Sequence, residues 1–276
     1  MAGSLRIVAT PIGNLDDLSP RALRALADAD VIACEDTRVT RKLAVMAGAR
    51  GTLLSYNAAN ERVRTPELVR RIAAGASIAL VTDAGTPAIS DPGQRLVAAC
   101  RQAGVRVEVV PGPSAALAAL VASGLPAARF VFEGFLPRTG GARRKRLTAL
   151  ASDPRTTVFF EAPHRIEESL EDILVVLGDR PAALARELTK VHEEVVTSTV
   201  GSLLDAVREN GARGEITLVV AGAPDVAEEA EPAELADRVR LLIGEGVPKK
   251  EAVARVAAEG RVAKRIVYQA SVDAGL

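Results

Sequence analysis

Tryptophan is absent from this chain of 276 residues, and aromatic residues make up only 3% of it. The core must then be built from Ala, Val, Leu and Ile, and aromatic platforms of the kind used by single-strand binders are not expected. Cysteine is nearly absent as well. Cys34 and Cys100 both sit in apolar runs, which excludes a disulfide framework and fits a reducing cytoplasm. The two histidines, His164 and His192, have no Cys, Glu or His partners at ligand spacing, so no metal site is expected. Net charge is missing too: 35 Lys+Arg balance 35 Asp+Glu. That excludes a basic coat for nucleic acid but leaves room for a local patch. The most apolar stretch, Ser114 to Leu125, is too short to cross a bilayer. The first residues carry no apolar signal segment, and a cytoplasmic protein without membrane attachment is expected.

What is present is regular alternation. Short β-branched runs at 5–10, 31–35, 52–56, 77–83 and 105–110 alternate with segments of helical spacing. Ser19 before Pro20 reads as an N-cap followed by proline at the first helical position. Buried runs alternating with helices predict a parallel sheet with crossover helices over residues 1–125. Residues 126–223 read as a second, mixed α/β domain. In it, FVFEGF and TTVFFE flank a basic helix, PAALARELT and EEVVTSTV form an antiparallel pair, and GEITLVVAG is a last strand. Residues 224–237 hold six acids, two prolines and no base, and read as a linker. Residues 238–276 read as three short helices, with too few large apolar side chains for a core of their own.

Ligands bind a parallel sheet at its carboxyl edge. Three strand ends here carry Gly and Pro directly after a buried run: ATPIGN (9–14), TDAGTPAISDPG (82–93) and VVPGPSA (109–115). The third leads into a helix at Ser114, whose first amides could hold an acceptor group. Asp83 offers a carboxylate to an ammonium or a ribose hydroxyl. No G-x-G-x-x-G, P-loop or G-x-S-x-G string is present, so dinucleotide, nucleoside triphosphate and serine-hydrolase chemistry are not indicated. The segment RTGGARRKR (138–146) has five bases and no acid. It reads as a mobile, phosphate-tracking loop beside a Gly-Gly hinge.

The strings TPIGNLDDLSPRAL, CEDTR, DAGTPAISDPG, VPGPSA, FEGFLPR, FFEAPHR, RELTKVHEE and GEITLVV occur in that order. Together they resemble the tetrapyrrole methylase superfamily. Within it they are similar to the branch that methylates a cytidine 2′-hydroxyl in the decoding region of 16S ribosomal RNA. The resemblance implies two α/β domains of the class III methyltransferase type with a small C-terminal helical module. It also implies S-adenosyl-L-methionine as cofactor, 16S rRNA or the small ribosomal subunit as partner, and a homodimer. By resemblance the cofactor meets Ile12 and Gly13 in the first loop. Asp83, Gly85, Thr86, Pro87 and Ile89 would meet it in the second, Ser114 and Ala115 in the third, and Phe160 from the second domain.

A ribose hydroxyl must lose a proton to act as nucleophile. Glu35, Asp36, Glu161 and Lys190 are the candidate bases, and the choice among them stays open here. Arg38, Arg143, Arg144, Lys145, Arg146 and Arg165 are the cations expected to face RNA. The alternatives are the same fold and cofactor with a tetrapyrrole or protein acceptor, or a non-enzymatic RNA-binding protein of the ribosome.

Overall fold

The structure is a computed structural model that describes residues 3–224, 231–259, 262 and 264–276. The first five apolar runs form β1 (Ser4–Val8), β2 (Val31–Cys34), β3 (Thr52–Ser55), β4 (Ser77–Leu80) and β5 (Arg106–Val110). All pair in parallel, in the order β3-β2-β4-β1-β5. Helices α1 (Pro20–Ala27), α2 (Thr37–Met46), α3 (Glu61–Ala73) and α4 (Gln94–Gln102) cover both faces. One face closes around Leu26, Ile32 and Leu43, the other around Leu5, Leu68 and Leu96. Local chemistry starts these helices. Ser19 Oγ accepts the Ala22 amide at 3.1 Å with Pro20 behind it, and Asp36 accepts the Arg38 amide at 2.8 Å.

The strand order sets up the site. β1 lies between β4 and β5, so the loops that leave these three strands are neighbours at the edge where the chain reverses direction across the sheet.

Helix α5 (Ala115–Ala122) follows β5 but does not return to the first sheet's core. Its Ala116, Ala119 and Leu120 pack on Val158, Ala183 and Val219 of the second sheet. That sheet consists of β6 (Phe130–Phe135), β7 (Thr156–Glu161), β8 (Pro181–Arg186), β9 (Glu194–Thr199) and β10 (Ile216–Val220), in the order β6-β7-β10-β8-β9. Only β6 and β7 are parallel. Helices α6 (Gly140–Leu150), α7 (Ile166–Leu177) and α8 (Val200–Asn210) seal its far face around Leu147, Phe159, Leu170 and Leu203.

The C-terminal segment forms α9 (Pro232–Gly244), α10 (Lys249–Glu259) and α11 (Lys264–Asp273). Two expectations change there. Residues 232–237, read as linker, are the first turns of α9, with Pro232 again at a helix start. The three helices also share a core of their own, in which Leu235, Val239, Val256 and Val267 are buried. Residues 225–230 of the expected linker lie outside the described residues. Among the described residues no helix is long and apolar enough to cross a membrane.

Candidate functional site

Loop one is stitched to loop two by an isolated antiparallel bridge. The Thr10 amide donates to Gly85 O at 2.9 Å, and the Gly85 amide returns to Thr10 O at 3.1 Å. Gly85 takes φ +81, which a side chain would resist. Thr86 Oγ1 reaches Pro113 O of loop three at 3.5 Å. These contacts fix three strand ends as one rim. Ala88 and Ser90, also in loop two, hold positive φ without being glycine. Such backbone strain persists only where the surroundings impose it, and it concentrates at ligand sites.

The rim faces the second sheet across a cleft of about 400 Å³. That lies within the ordinary range for small-ligand sites, roughly 300–1,000 Å³. Of the residues expected at the cofactor, Ile12, Asp83, Gly85, Thr86, Ile89, Ser114, Ala115 and Phe160 line it together. Pro87 is buried behind the rim. Gly13 sits elsewhere: a Cβ on it would fall 2.5 Å from Lys190 Cγ and 2.9 Å from Leu188 O. Its small size serves the close approach of the β8–β9 loop to the first lobe. That loop is strained too, with Glu187 at φ +50 and Thr189 at φ +66.

Five acids line the cleft (Glu35, Asp83, Asp91, Glu161 and Glu215), and no Lys, Arg or His does among the described residues. Burial raises the carboxyl of Glu35 above its ordinary value, with the charges of Asp91 and Asp83 adding to it. Burial raises Asp83 and Asp91 in the same way. Thr82 Oγ1 stands among them, 3.4 Å from Glu35 Oε2. Asp83 also accepts the Asp36 amide at 3.2 Å. Glu35, Asp83 and Asp91 have no ion-pair partner among the described residues, and a wall of such carboxylates accepts a cation and rejects phosphates.

The four candidate bases separate. Asp36 is absent from the cleft wall, and hydrogen bonds from Arg38 hold its carboxyl at about 2. Lys190 is also off the wall. Burial opposes its charge, yet Glu187 at 2.9 Å and Glu215 at 3.2 Å hold the ammonium above its ordinary value. Glu161 lines the cleft, but Ser169 Oγ donates to one oxygen at 2.6 Å and the Ala162 amide to the other at 2.9 Å. Arg165 lies 3.3 Å from it. Glu35 faces the cleft with only the long Thr82 bond.

The basic run is corrected most. Residues 140–150 are helix α6 and not a loop, with Gly140 and Gly141 in its first turn. Arg143 is buried, and its Nε donates to Asp172 of α7 at 2.6 Å. Arg144 shares Asp172 at 2.9 Å while staying exposed. Arg146 grips Glu133 with two bonds of 2.6 Å. Lys145 is exposed and pairs with no acid among the described residues. Arg165 is mostly covered and donates to Leu136 O and Pro137 O, so it braces the turn after β6. Arg38 is exposed but bonded to Asp36. The acids that neutralise Arg143 and Arg144 stand 25 to 29 positions downstream on α7, and the acid that holds Arg146 stands 13 positions upstream on β6, all beyond any local pattern.

Sequence reasoning missed Asp91, Phe135 and the Gly214–Thr217 strip, all on the cleft wall. The strings DAGTPAISDPG and FEGFLPR contained the first two. The string GEITLVV contained the strip as well, but it reads as a buried strand, and only the structure shows its first residues reaching the cleft.

A parallel sheet whose strand-end loops face a second, mixed sheet across an acidic cleft defines a class of methylase. The chain belongs to the tetrapyrrole methylase family: the model of the Tetrapyrrole (Corrin/Porphyrin) Methylases matches residues 4–204. Among curated relatives it is 50% identical over 260 residues to the "Ribosomal RNA small subunit methyltransferase I" of Xylella fastidiosa, covering 93% of this chain and 94% of that one. The protein of the same name from Synechocystis is 44% identical, covering 98% of both chains. Among solved structures the methyltransferase CobJ superposes with a TM-score of 0.62 at 24% identity, over 80% of this chain and 95% of that one, and shares the fold.

Proposed function

We propose that the chain uses S-adenosyl-L-methionine to methylate 16S ribosomal RNA of the small subunit, at the 2′-hydroxyl of a cytidine in the decoding region. The acidic, cation-free cleft at three strand ends carries this reading. The cofactor is net cationic through its sulfonium, and its nucleoside and methionine need apolar walls such as Ile12, Ala115, Phe160 and Ile216. Ser114 Oγ caps the Leu117 amide, and the Ala115 and Ala116 amides that open α5 have no intrahelical acceptor and suit its carboxylate. The relatives' names support small-subunit ribosomal RNA as the acceptor molecule, and the cytidine 2′-hydroxyl is what the resemblance of the motifs implies.

When bound, the cofactor supplies an electrophilic methyl group with a neutral leaving group. The protein's task is then alignment, worth roughly 7–11 kcal/mol, and removal of the hydroxyl proton. Glu35 takes that proton, since it is the candidate base on the wall whose carboxylate is least engaged. Asp83 and Asp91 would hold the cofactor's cationic end, and these carboxylates would hold an uncharged thioether less strongly. Arg38, Arg144 and Lys145 keep solvent-facing cations for the phosphates of the RNA. A homodimer working in the cytoplasm belongs to the same proposal and is read by sedimentation.

The test is transfer of radiolabelled methyl to purified small subunits lacking the modification, followed by nuclease digestion to locate the label. Label on the ribose of one cytidine is expected. Label on a base removes the 2′-hydroxyl assignment, and no label removes the acceptor. In parallel, Asp83→Asn should weaken cofactor binding in calorimetry by about 1.5–3 kcal/mol, the usual loss of a bond to a charged group.

A further inference from the structure

Three of the chain's five phenylalanines meet at the cleft. Phe160 lies between Phe132, at 5.1 Å edge-to-face, and Phe135, at 5.7 Å. Phe160 is partly covered, whereas Phe135 is 56% exposed although its ring lines the cleft. A large exposed apolar side chain at the mouth of a ligand cleft calls for a partner.

The placement of Phe135 is built. Along β6 the pairing with β7 runs Phe132 to Val158, then Gly134 to Phe159 and Phe135 to Phe160, so Glu133 is an extra residue. Without this bulge, alternation would turn Phe135 to the opposite face from Phe132. With it, both rings join Val158 and Phe160 on the cleft side. The bulge is pinned from two directions. Gly134 takes φ +65, and a Cβ there would meet Ser90 Oγ at 2.8 Å, so only glycine lets β6 approach loop two. Glu133, its side chain only 7% exposed, is clamped by both Arg146 bonds.

We infer that Phe135 is the platform on which the base of the acceptor nucleotide stacks, and that the Arg146–Glu133 clamp is the positioning device that holds it there. The inference rests on the proposed RNA acceptor. A nucleotide that presents its ribose to a methyl donor inside a cleft has left its helical stack, and its exposed base needs a new surface. The inner wall, with Phe160 and the three loops, encloses the cofactor. Phe135 stands outside Phe160 on edge strand β6, where the acceptor enters. The acidic wall offers a neutral base no repulsion, and the phosphates stay outside with the cations of α2 and α6.

The experiment compares wild type, Phe135→Ala, Phe135→Tyr and Phe135→Trp. Calorimetry gives cofactor affinity, and methyl transfer to unmodified small subunits gives KM and kcat. Phe135→Ala should keep cofactor affinity and raise KM for subunits roughly 5- to 150-fold, the range for loss of one base–aromatic stack. Phe135→Tyr should restore KM. The chain has no other tryptophan, so the emission of Phe135→Trp reports stacking directly. It should be quenched by unmodified subunits in the presence of S-adenosylhomocysteine. An unchanged KM in Phe135→Ala, a loss of cofactor affinity in it, or unquenched emission from Phe135→Trp each overturns the inference. If Phe135→Ala does not fold, the Trp emission and the Tyr KM decide. Wild type that leaves subunits unlabelled sinks the acceptor reading instead, an outcome separate from all of these.

Discussion

A single carboxylate can be judged by what holds it. Glu161 and Asp36 are engaged by close donors, whereas Glu35 is raised by burial and by Asp91 and Asp83. Glu35→Gln should therefore lower kcat for subunit methylation by about 10²–10⁴-fold, the usual worth of a positioned base. Cofactor affinity should persist in calorimetry. A loss of affinity that matches the loss of rate would make Glu35 a cofactor contact. Asp91 gives a second residue-scale expectation. Its folded carboxyl is raised, so the unfolded chain ionises first as pH rises, and stability is lost between the ordinary value of 3.8 and the raised one. Asp91→Asn removes that loss. Its melting temperature should exceed that of wild type at neutral pH, and the gap should close as pH falls below 3.8. A gap independent of pH would mean that burial does not raise the Asp91 carboxyl in the folded protein.

Among the elements, α6 and α7 are joined by charge buried between them. Arg143 and Asp172 have side chains only 4% and 8% exposed, and their bond is 2.6 Å long. Breaking a buried pair costs about 3–5 kcal/mol when the other charge is stranded; here Arg144 still holds Asp172 at 2.9 Å, which puts the loss at the low end of that range. Arg143→Ala should lower stability by that order in denaturant melts, while Lys145→Ala should leave it unchanged. Equal, small effects would place Arg143 with the surface cations. This contrast marks the limit of what the sequence discloses. The parallel sheet, the antiparallel pair and the three strand-end loops were legible, because apolar runs and Gly-Pro turns are local signals. The fate of the basic run was not, since Asp172 and Glu168 answer it from another helix. Nor was Gly13, which looks like a ligand turn but yields space to Lys190 and Thr189. Nor was the bulge at Glu133, whose cause, Arg146, lies across the sheet's far layer.

For the molecule as a whole, the three C-terminal helices close on themselves around Val239, Val256 and Val267. Deleting residues 226–276 should leave a two-sheet protein with its own melting transition and its cofactor affinity intact. Methylation of subunits should fall, because α10 and α11 carry Lys250, Arg255, Lys264 and Arg265 to the surface. Normal methylation by the truncated protein would remove this module from substrate recognition. Failure to fold would make it part of the main body.

The order of the second sheet has a bearing on how the chain is made. Strand β10 is its centre, hydrogen-bonded to β7 on one side and β8 on the other, yet among the described residues it is the last of the ten strands in sequence. During synthesis the first sheet has all five strands once residue 110 has emerged. The second remains two unjoined ribbons, β6–β7 and β8–β9, with the apolar face of α5 waiting for both. About a hundred residues of translation separate those events, at ~5–20 residues per second. The nascent chain thus carries a finished lobe beside an open seam, and residues 216–220 are the stitch that closes it.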